Sequence, residues 1–397
     1  MPSTFRFLVT ETDGRARRGE MQTAHGVVQT PAFMPVGTQG AVKAVTPRDL
    51  LDVGAEIILC NTYHLHLRPG DDRIARLGGL HRFAGWHGPI LTDSGGYQVF
   101  SLASRRVLSE EGVSFRSHLD GRAHMLTPEK AVEAQARLGS DIAMVLDECI
   151  AWPADRDQAR RASERTHRWA RRSRERFVAL TLGHQTGGVV VSTPGQAQFG
   201  IVQGGAHPDV REWSARETVA LDFEAYAIGG LGVGEPAPVM YDIVERTVPA
   251  LPADRPRYLM GVGTPGDLVE CVARGVDLFD CVLPTRNARN GQLFTRQGRL
   301  NVKNAAYADD ARPPDDACPC YTCQHFSRAY LRQLFLAGEI AGATLNTLHN
   351  LHFYLDTMRR IREGIMRGSF EALRQEFHLT IPPRHRIRDT GGVHNDG

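Results

Sequence analysis

The sequence predicts an α/β fold, a (β/α)8 TIM-like barrel with an N-terminal antiparallel β-sheet and a cysteine-bearing insertion. Three observations predict it. Eight short apolar runs recur along the chain, each ending in Gly, Asp, Asn, Gln or a near neighbour and followed by a helical stretch. The runs are nearly continuous in apolar character, as strands buried on both faces are. Strong helix starts lie between them. The main alternative is an open, doubly wound sheet, and the count of eight favours closure.

The elements follow in order. Residues 5–12 (FRFLVTET) read as a strand, Asp13-Gly14 as a hairpin turn, and MQTAHGVVQTP (21–31) as a second extended run. The barrel runs are AFMPV (32–36), EIILC (56–60), PILTD (89–93), IAMVL (142–146), FGIVQ (199–203), YAIGG (226–230), RYLMG (257–261) and DLFDC (277–281). Thr46-Pro47, Thr127-Pro128-Glu129 and Thr264-Pro265 each place a cap and a first-turn proline before a helix. Residues 112–126 read as a hairpin on Asp120-Gly121, and 182–198 as a Gly-rich flexible loop. Residues 282–324 interrupt the pattern after the eighth strand, and helices are expected near 325–341 and 344–376. Residues 1–380 then form a single modified barrel domain, and 381–397 read as a disordered tail.

Composition narrows the class. The chain has 397 residues, 42% hydrophobic and 23% charged, which is ordinary for a globular protein. No stretch is long and apolar enough to span a bilayer, and the N-terminus has no apolar signal region, so the expected location is cytoplasmic, with no membrane partner. The net charge of +2 does not by itself indicate nucleic acid. Two basic clusters do invite the thought: the arginines of 156–176, and Arg286, Arg289, Arg296, Arg299 and Lys303, which have no acidic residue among them. Each is a candidate phosphate footprint or a solvated face.

Seven cysteines make a disulfide framework a poor fit, and three of them stand in C-P-C-Y-T-C at Cys318, Cys320 and Cys323. Thiolates so close together suit zinc, which takes four ligands tetrahedrally in structural sites. His349, on a helix able to cross the cluster, is the favoured fourth ligand; His352 is the alternative. Four protein ligands leave no open position, so one structural zinc per chain is expected.

Barrel chemistry gathers at the C-terminal ends of the strands. Asp93, Asp147, Gln203, Gly229, Gly230, Tyr258, Met260 and Asp280 lie there. Two carboxylates flanking an anomeric carbon can perform retaining displacement, and a third can pair with a purine edge. Tyr97, Tyr258 and Met260 are candidates to frame a flat base.

DSGGYQVFSL (93–102), LDEC (146–149), FGIVQGG (199–205), YAIGGLGVGE (226–235), RYLMGVGTP (257–265), FDCVLPTRNARNG (279–291) and CPCYTC (318–323) resemble the tRNA-guanine transglycosylases, over nearly the whole chain. The resemblance implies a modified (β/α)8 barrel with a zinc-binding subdomain, here 282–350. It implies Asp280 as nucleophile and Asp93 as general acid/base. It puts base recognition on Asp147, Gln203, Gly230 and Leu231, within a pocket framed by Tyr97, Tyr258 and Met260. Its zinc ligands fall on Cys318, Cys320, Cys323 and His349, and its anticodon contacts on Arg286 and Arg289. Cys149 and Val233 resemble the bacterial form, which replaces guanine with preQ1 (7-aminomethyl-7-deazaguanine) in tRNAs with a G-U-N anticodon; the eukaryotic form takes queuine in a roomier pocket. A homodimer is implied as well. The long 182–198 loop, and Gly232 where the family carries alanine, depart from the pattern. A zinc hydrolase and a non-catalytic RNA-binding subunit are the rival readings. Four zinc ligands argue against the first, and the presence of both Asp93 and Asp280 against the second.

Overall fold

A computed structural model describes residues 4–101, 106–182, 189, 191 and 193–380. The tail 381–397 and part of the 182–198 loop fall outside the described residues. The chain opens with an antiparallel meander of β1 (Arg6–Asp13), β2 (Ala16–Thr23) and β3 (Gly26–Thr30). The expected run 21–31 is therefore not one strand. The chain turns before Gly26 (φ 138°), and β2 begins five residues earlier than its apolar part. The charged start of β2 hid it, because Arg17 is buried in an ion pair rather than exposed.

The first barrel run divides at Pro35 into β4 (Ala32–Met34) and β5 (Val36–Gly37). Proline has no amide to donate, so pairing cannot pass straight through it. Instead β5 pairs with β6 (Ile58–Cys60), which pairs with β7 (Ile90–Thr92). A three-stranded antiparallel sheet follows: β8 (Arg106–Leu108), β9 (Val113–Arg116) and β10 (Ala123–Leu126). It is the expected hairpin with one strand more. Then come β11 (Ile142–Met144), β12 (Ala197–Val202), β13 (Ala225–Ile228), β14 (Arg257–Leu259) and β15 (Leu278–Asp280). Their order is β4-β15-β14-β13-β12-β11-β7-β6-β5, parallel throughout. Because β4 and β5 come from one run, the sheet closes on itself as a barrel, and the open doubly wound alternative is excluded. Nearly every barrel-strand residue is buried, which is why the runs did not alternate.

The threonine caps form as the sequence requires. Thr46 and Thr264 make capping boxes with Asp49 and Asp267, and Thr127 accepts from the Lys130 amide. Beyond the barrel lie β16 (Gln292–Thr295), β17 (Gly298–Asn301), the cysteine loop and the helices Tyr321–His325 and Arg328–Leu336. The expected helix 344–376 is two helices, Ile340–Met366 and Phe370–Thr380, broken at Gly368, whose φ of 65° suits glycine. The first lies against β1, β2, β4 and β16, so it joins the insertion to the barrel.

Candidate active site and metal centre

Strand register decides what meets at the mouth. Asp280 pairs with Met34, Leu259 with Phe279 and with Ile228, so the C-terminal strand ends are level. A cavity of about 320 Å³ opens there, lined by Asp93, Asp147, Asp280, Tyr97, Cys149, Gly230, Leu231, Val233, Tyr258 and Met260, among others. Gln203 is not on its wall but directly behind it. It is 1% exposed and donates from Nε2 to Asp147 Oδ2 at 2.7 Å. A Cβ at Gly230 would lie 2.3 Å from Gln203 Oε1, and φ there is +66°, so both space and backbone demand glycine.

The three aspartates are held by neutral donors. Asp93 accepts from Asn61 Nδ2 at 2.5 Å, from the Thr62 amide at 2.8 Å and from the Gly95 amide at 3.2 Å. Burial pushes its carboxyl up to about 6, and these bonds only partly oppose the rise. Asp147 is likewise pushed up to about 6, chiefly by burial, with the bond from Gln203 opposing and the nearby Asp93 adding. In Asp280, Oδ1 accepts from Tyr258 Oη at 2.6 Å and from the Gly261 amide at 2.7 Å; Oδ2 accepts from no described residue. Burial raises it too. Among the described residues no Arg, Lys or His pairs with any of the three.

Other expected residues take more specific positions. Gly96 lets the Gly96–Ser101 helix abut Asp147: a Cβ there would stand 2.8 Å from Asp147 Oδ1. Tyr258 lines the cavity, but its ring is 1% exposed and its hydroxyl is committed to Asp280. Tyr97 is 56% exposed at the rim. Burial, reinforced by Asp147, pushes the Cys149 thiol up to about 12, so it is no ready nucleophile. Glu148 turns away to Arg165 at 2.8 Å. Sequence reasoning passed over Asn61, Thr62 and Gln98. The signal was present, since Asn61 follows the run EIILC just as Asp93 follows its own.

The two basic clusters separate. Along the helix Arg156–Thr181, Arg156, Arg160, Arg165, Arg168, Arg172, Arg174 and Arg176 all meet carboxylates, so that cluster is mainly an ion-paired helix face. Arg286 and Arg289 lie on the helix Leu283–Arg289, which starts right after Asp280. Arg286 is exposed and has no ion pair among the described residues, while Arg289 donates to the Thr285 carbonyl at 3.1 Å.

The cysteine loop meets the long helix at His349, not His352. His349 Nδ1 stands 3.9, 3.5 and 3.2 Å from the Sγ atoms of Cys318, Cys320 and Cys323. All four ligand atoms fall within 4.8 Å of one another. Tetrahedral zinc with ordinary Zn–S and Zn–N bonds sets S and N about 3.6 Å apart, so the group fits the ion. His349 Nε2 bonds the Phe294 carbonyl at 2.7 Å, which leaves Nδ1 as the ligand atom. None of the four lines the cavity.

A family model described as queuine tRNA-ribosyltransferase matches residues 12–383. Among the relatives, the queuine tRNA-ribosyltransferase of Desulforudis audaxviator is 56% identical over 94% of this chain and 97% of its own. That of Solidesulfovibrio magneticus is 55% identical over 95% and 98%. That of Pelotomaculum thermopropionicum is 53% identical over 95% and 98%.

Proposed function

The chain belongs to the queuine tRNA-ribosyltransferase family, the tRNA-guanine transglycosylases, and is a glycosyltransferase acting on tRNA; from that premise we propose that it exchanges guanine at the wobble position of G-U-N anticodons for preQ1. One observation carries the reading: three carboxylates, Asp147 buried and Asp93 and Asp280 half-buried, none ion-paired among the described residues, share one cavity.

The wobble guanosine leaves its stack and enters the mouth. Asp147, Gln203 and the backbone at Gly230 and Leu231 read its edge, between Tyr97 and Met260, with Tyr258 beneath. Cys149 and Val233 bound the space for the 7-substituent. Asp280 Oδ2 attacks C1′ as the C1′–N9 bond breaks, and Asp93 helps protonate the departing guanine. The product is a ribosyl ester on Asp280. PreQ1 then enters, Asp93 takes its N9 proton, and N9 displaces the carboxylate. Two inversions give retention. Arg286 and Arg289 hold flanking phosphates. Zinc on Cys318, Cys320, Cys323 and His349 supplies no chemistry; these residues pin the 282–350 subdomain to the long helix. The enzyme works in the cytoplasm as a homodimer, because one mouth is a small footprint for a folded tRNA.

Radiolabelled guanine and preQ1 should both enter G-U-N tRNA, and a denaturation-resistant RNA adduct should be trapped on wild-type protein. Failure to label any tRNA overturns the proposal. Cys320→Ser should lose its zinc by elemental analysis and unfold at lower temperature; full zinc content in that variant rules out the ligand set.

A further inference from the structure

Three of the four tryptophans have protein partners. Trp86 and Trp169 are buried, and their indole N–H groups donate to the Pro89 and Glu110 carbonyls. The Arg160 guanidinium covers Trp213, 3.9 Å from its ring centroid. Trp152 is different. It is 37% exposed, and among the described residues no ring or cation covers it and nothing accepts its N–H.

Its place is as telling as its exposure. Trp152 stands on the loop between β11 and the helix Arg156–Thr181, the loop whose Asp147 and Cys149 line the cavity. It walls a small recess with Gly230, Leu231 and Val233, and those three also wall the cavity. The indole is therefore one layer of residues from the base pocket. The loop is held in place. Ile150 and Ala154 pack with Ala159 and Ala162, His207 Nε2 meets the Ala154 carbonyl at 3.0 Å, and Asp155 caps the helix. The fold thus presents a flat apolar face to solvent at a fixed position beside its own mouth. The exposed ring of Tyr97 and the unpaired Arg286 are also at this end. Aromatic faces with nearby cations are how proteins hold single-stranded nucleic acid, one base per ring.

We propose that Trp152 stacks on an unpaired base of the substrate tRNA, a neighbour of the base held in the cavity. This rests on the reading that the cavity takes a tRNA guanine. The residue is then a positioning contact for the RNA, outside the bond-breaking step.

Steady-state exchange with full-length tRNA and labelled guanine tests it. Trp152→Ala should raise KM for tRNA about tenfold, while kcat and the KM for guanine stay within about twofold; Trp152→Phe should recover most of the loss. A tRNA with 2-aminopurine on the 5′ side of the exchanged base, outside the G-U-N triplet, should be quenched on binding wild type, and less so on binding a folded Trp152→Ala. Unchanged tRNA KM and equal quenching would overturn the proposal. So would a raised KM for guanine alone, which would make Trp152 part of the wall behind the base pocket. If wild type exchanges no guanine at all, the functional reading itself fails, and the two failures are told apart.

Discussion

The two ends of the barrel carry the same chemical group in opposite circumstances. At the C-terminal end, Asp147 is buried and Asp93 and Asp280 half-buried against amides and a hydroxyl, with the field of Asp93 acting on Asp147. At the N-terminal end, three acids among the described residues are each met by a base. Asp277, at the start of the strand that ends in Asp280, receives Arg17 at 2.8 and 2.5 Å and the Arg257 amide at 2.7 Å. Asp141 receives His25 at 2.8 Å, His81 at 3.0 Å and the Ile90 amide at 2.8 Å. Glu224 receives Arg174 at both oxygens and the Gln198 amide. Burial would raise Asp141, but its partners outweigh burial and hold it below the usual carboxylate range. Arg17 and His25 come from β2 and the turn after it, so the N-terminal sheet supplies part of this base set. The end of the strand, rather than the strand, decides whether an aspartate holds the fold or is left for chemistry.

The strongest way to break this contrast is at Asp280. Asp280→Asn should lower guanine exchange by about 10⁴-fold or more, because the nucleophile is gone. Its melting temperature should stay at or above that of wild type, since a charge disfavoured by partial burial is removed. An active variant, shown by mass spectrometry to be free of deamidation, would overturn the assignment.

Next is the opposite end of the same strand. Arg17→Ala leaves Asp277 buried without its partner and should cost about 3–5 kcal/mol in urea unfolding. The fraction that remains folded should exchange guanine at near-normal kcat. A large loss of kcat with unchanged stability would mean that the floor of the barrel shapes the mouth, and the two ends would not be separable.

The upper end was legible in the sequence and the lower end was not, for one physical reason. The functional aspartates follow apolar runs buried on both faces, and such runs announce themselves. The lower partners are paired across the fold: Arg17 with Asp277, His81 with Asp141, Arg174 with Glu224. No local pattern ties such residues together, so Arg17 fell between the expected runs 5–12 and 21–31, and the arginines of 156–176 stood as a candidate phosphate footprint or solvated face. The metal group was legible because three of its four ligands lie within six residues, and only the histidine needed the fold. Asn61 obeyed the same strand-end rule as Asp93 and was legible without being read.

A smaller effect with the sign reversed is expected at Asp147. Its carboxyl is raised to about 6 by burial, so the folded state prefers the protonated form and is penalised once pH rises through that value. One pKa unit is worth about 1.4 kcal/mol. Asp147→Asn, whose amide oxygen can still accept from Gln203, should therefore stabilise the protein by about 2 kcal/mol at pH 8. The gain should fade as pH approaches the ordinary carboxylate value, where wild type is protonated as well. Exchange should collapse, since the base edge has lost its partner. Urea midpoints for both proteins at pH 8 and pH 4.5 check this, and equal midpoints at pH 8 would show that the upper carboxylates carry no penalty.

The mildest prediction needs no mutation. Asp93 is also raised to about 6, and it must be ionised to take the proton from the incoming base. The kcat/KM for that base should therefore fall on the acid side with a midpoint near 6, by about tenfold per pH unit below it. Over the same range the carboxylates do not weaken the fold. Those at the mouth gain stability as they protonate, and Asp141, held low by its partners, loses its contribution only as pH falls below the ordinary carboxylate range. His64, His124 and His167, which burial holds below the ordinary histidine value, weaken the fold as pH falls through that value, so activity should fall more steeply than the urea midpoint and should return in full on going back to pH 8. An acid loss that tracks unfolding would mean that the floor, not the mouth, sets the pH limit.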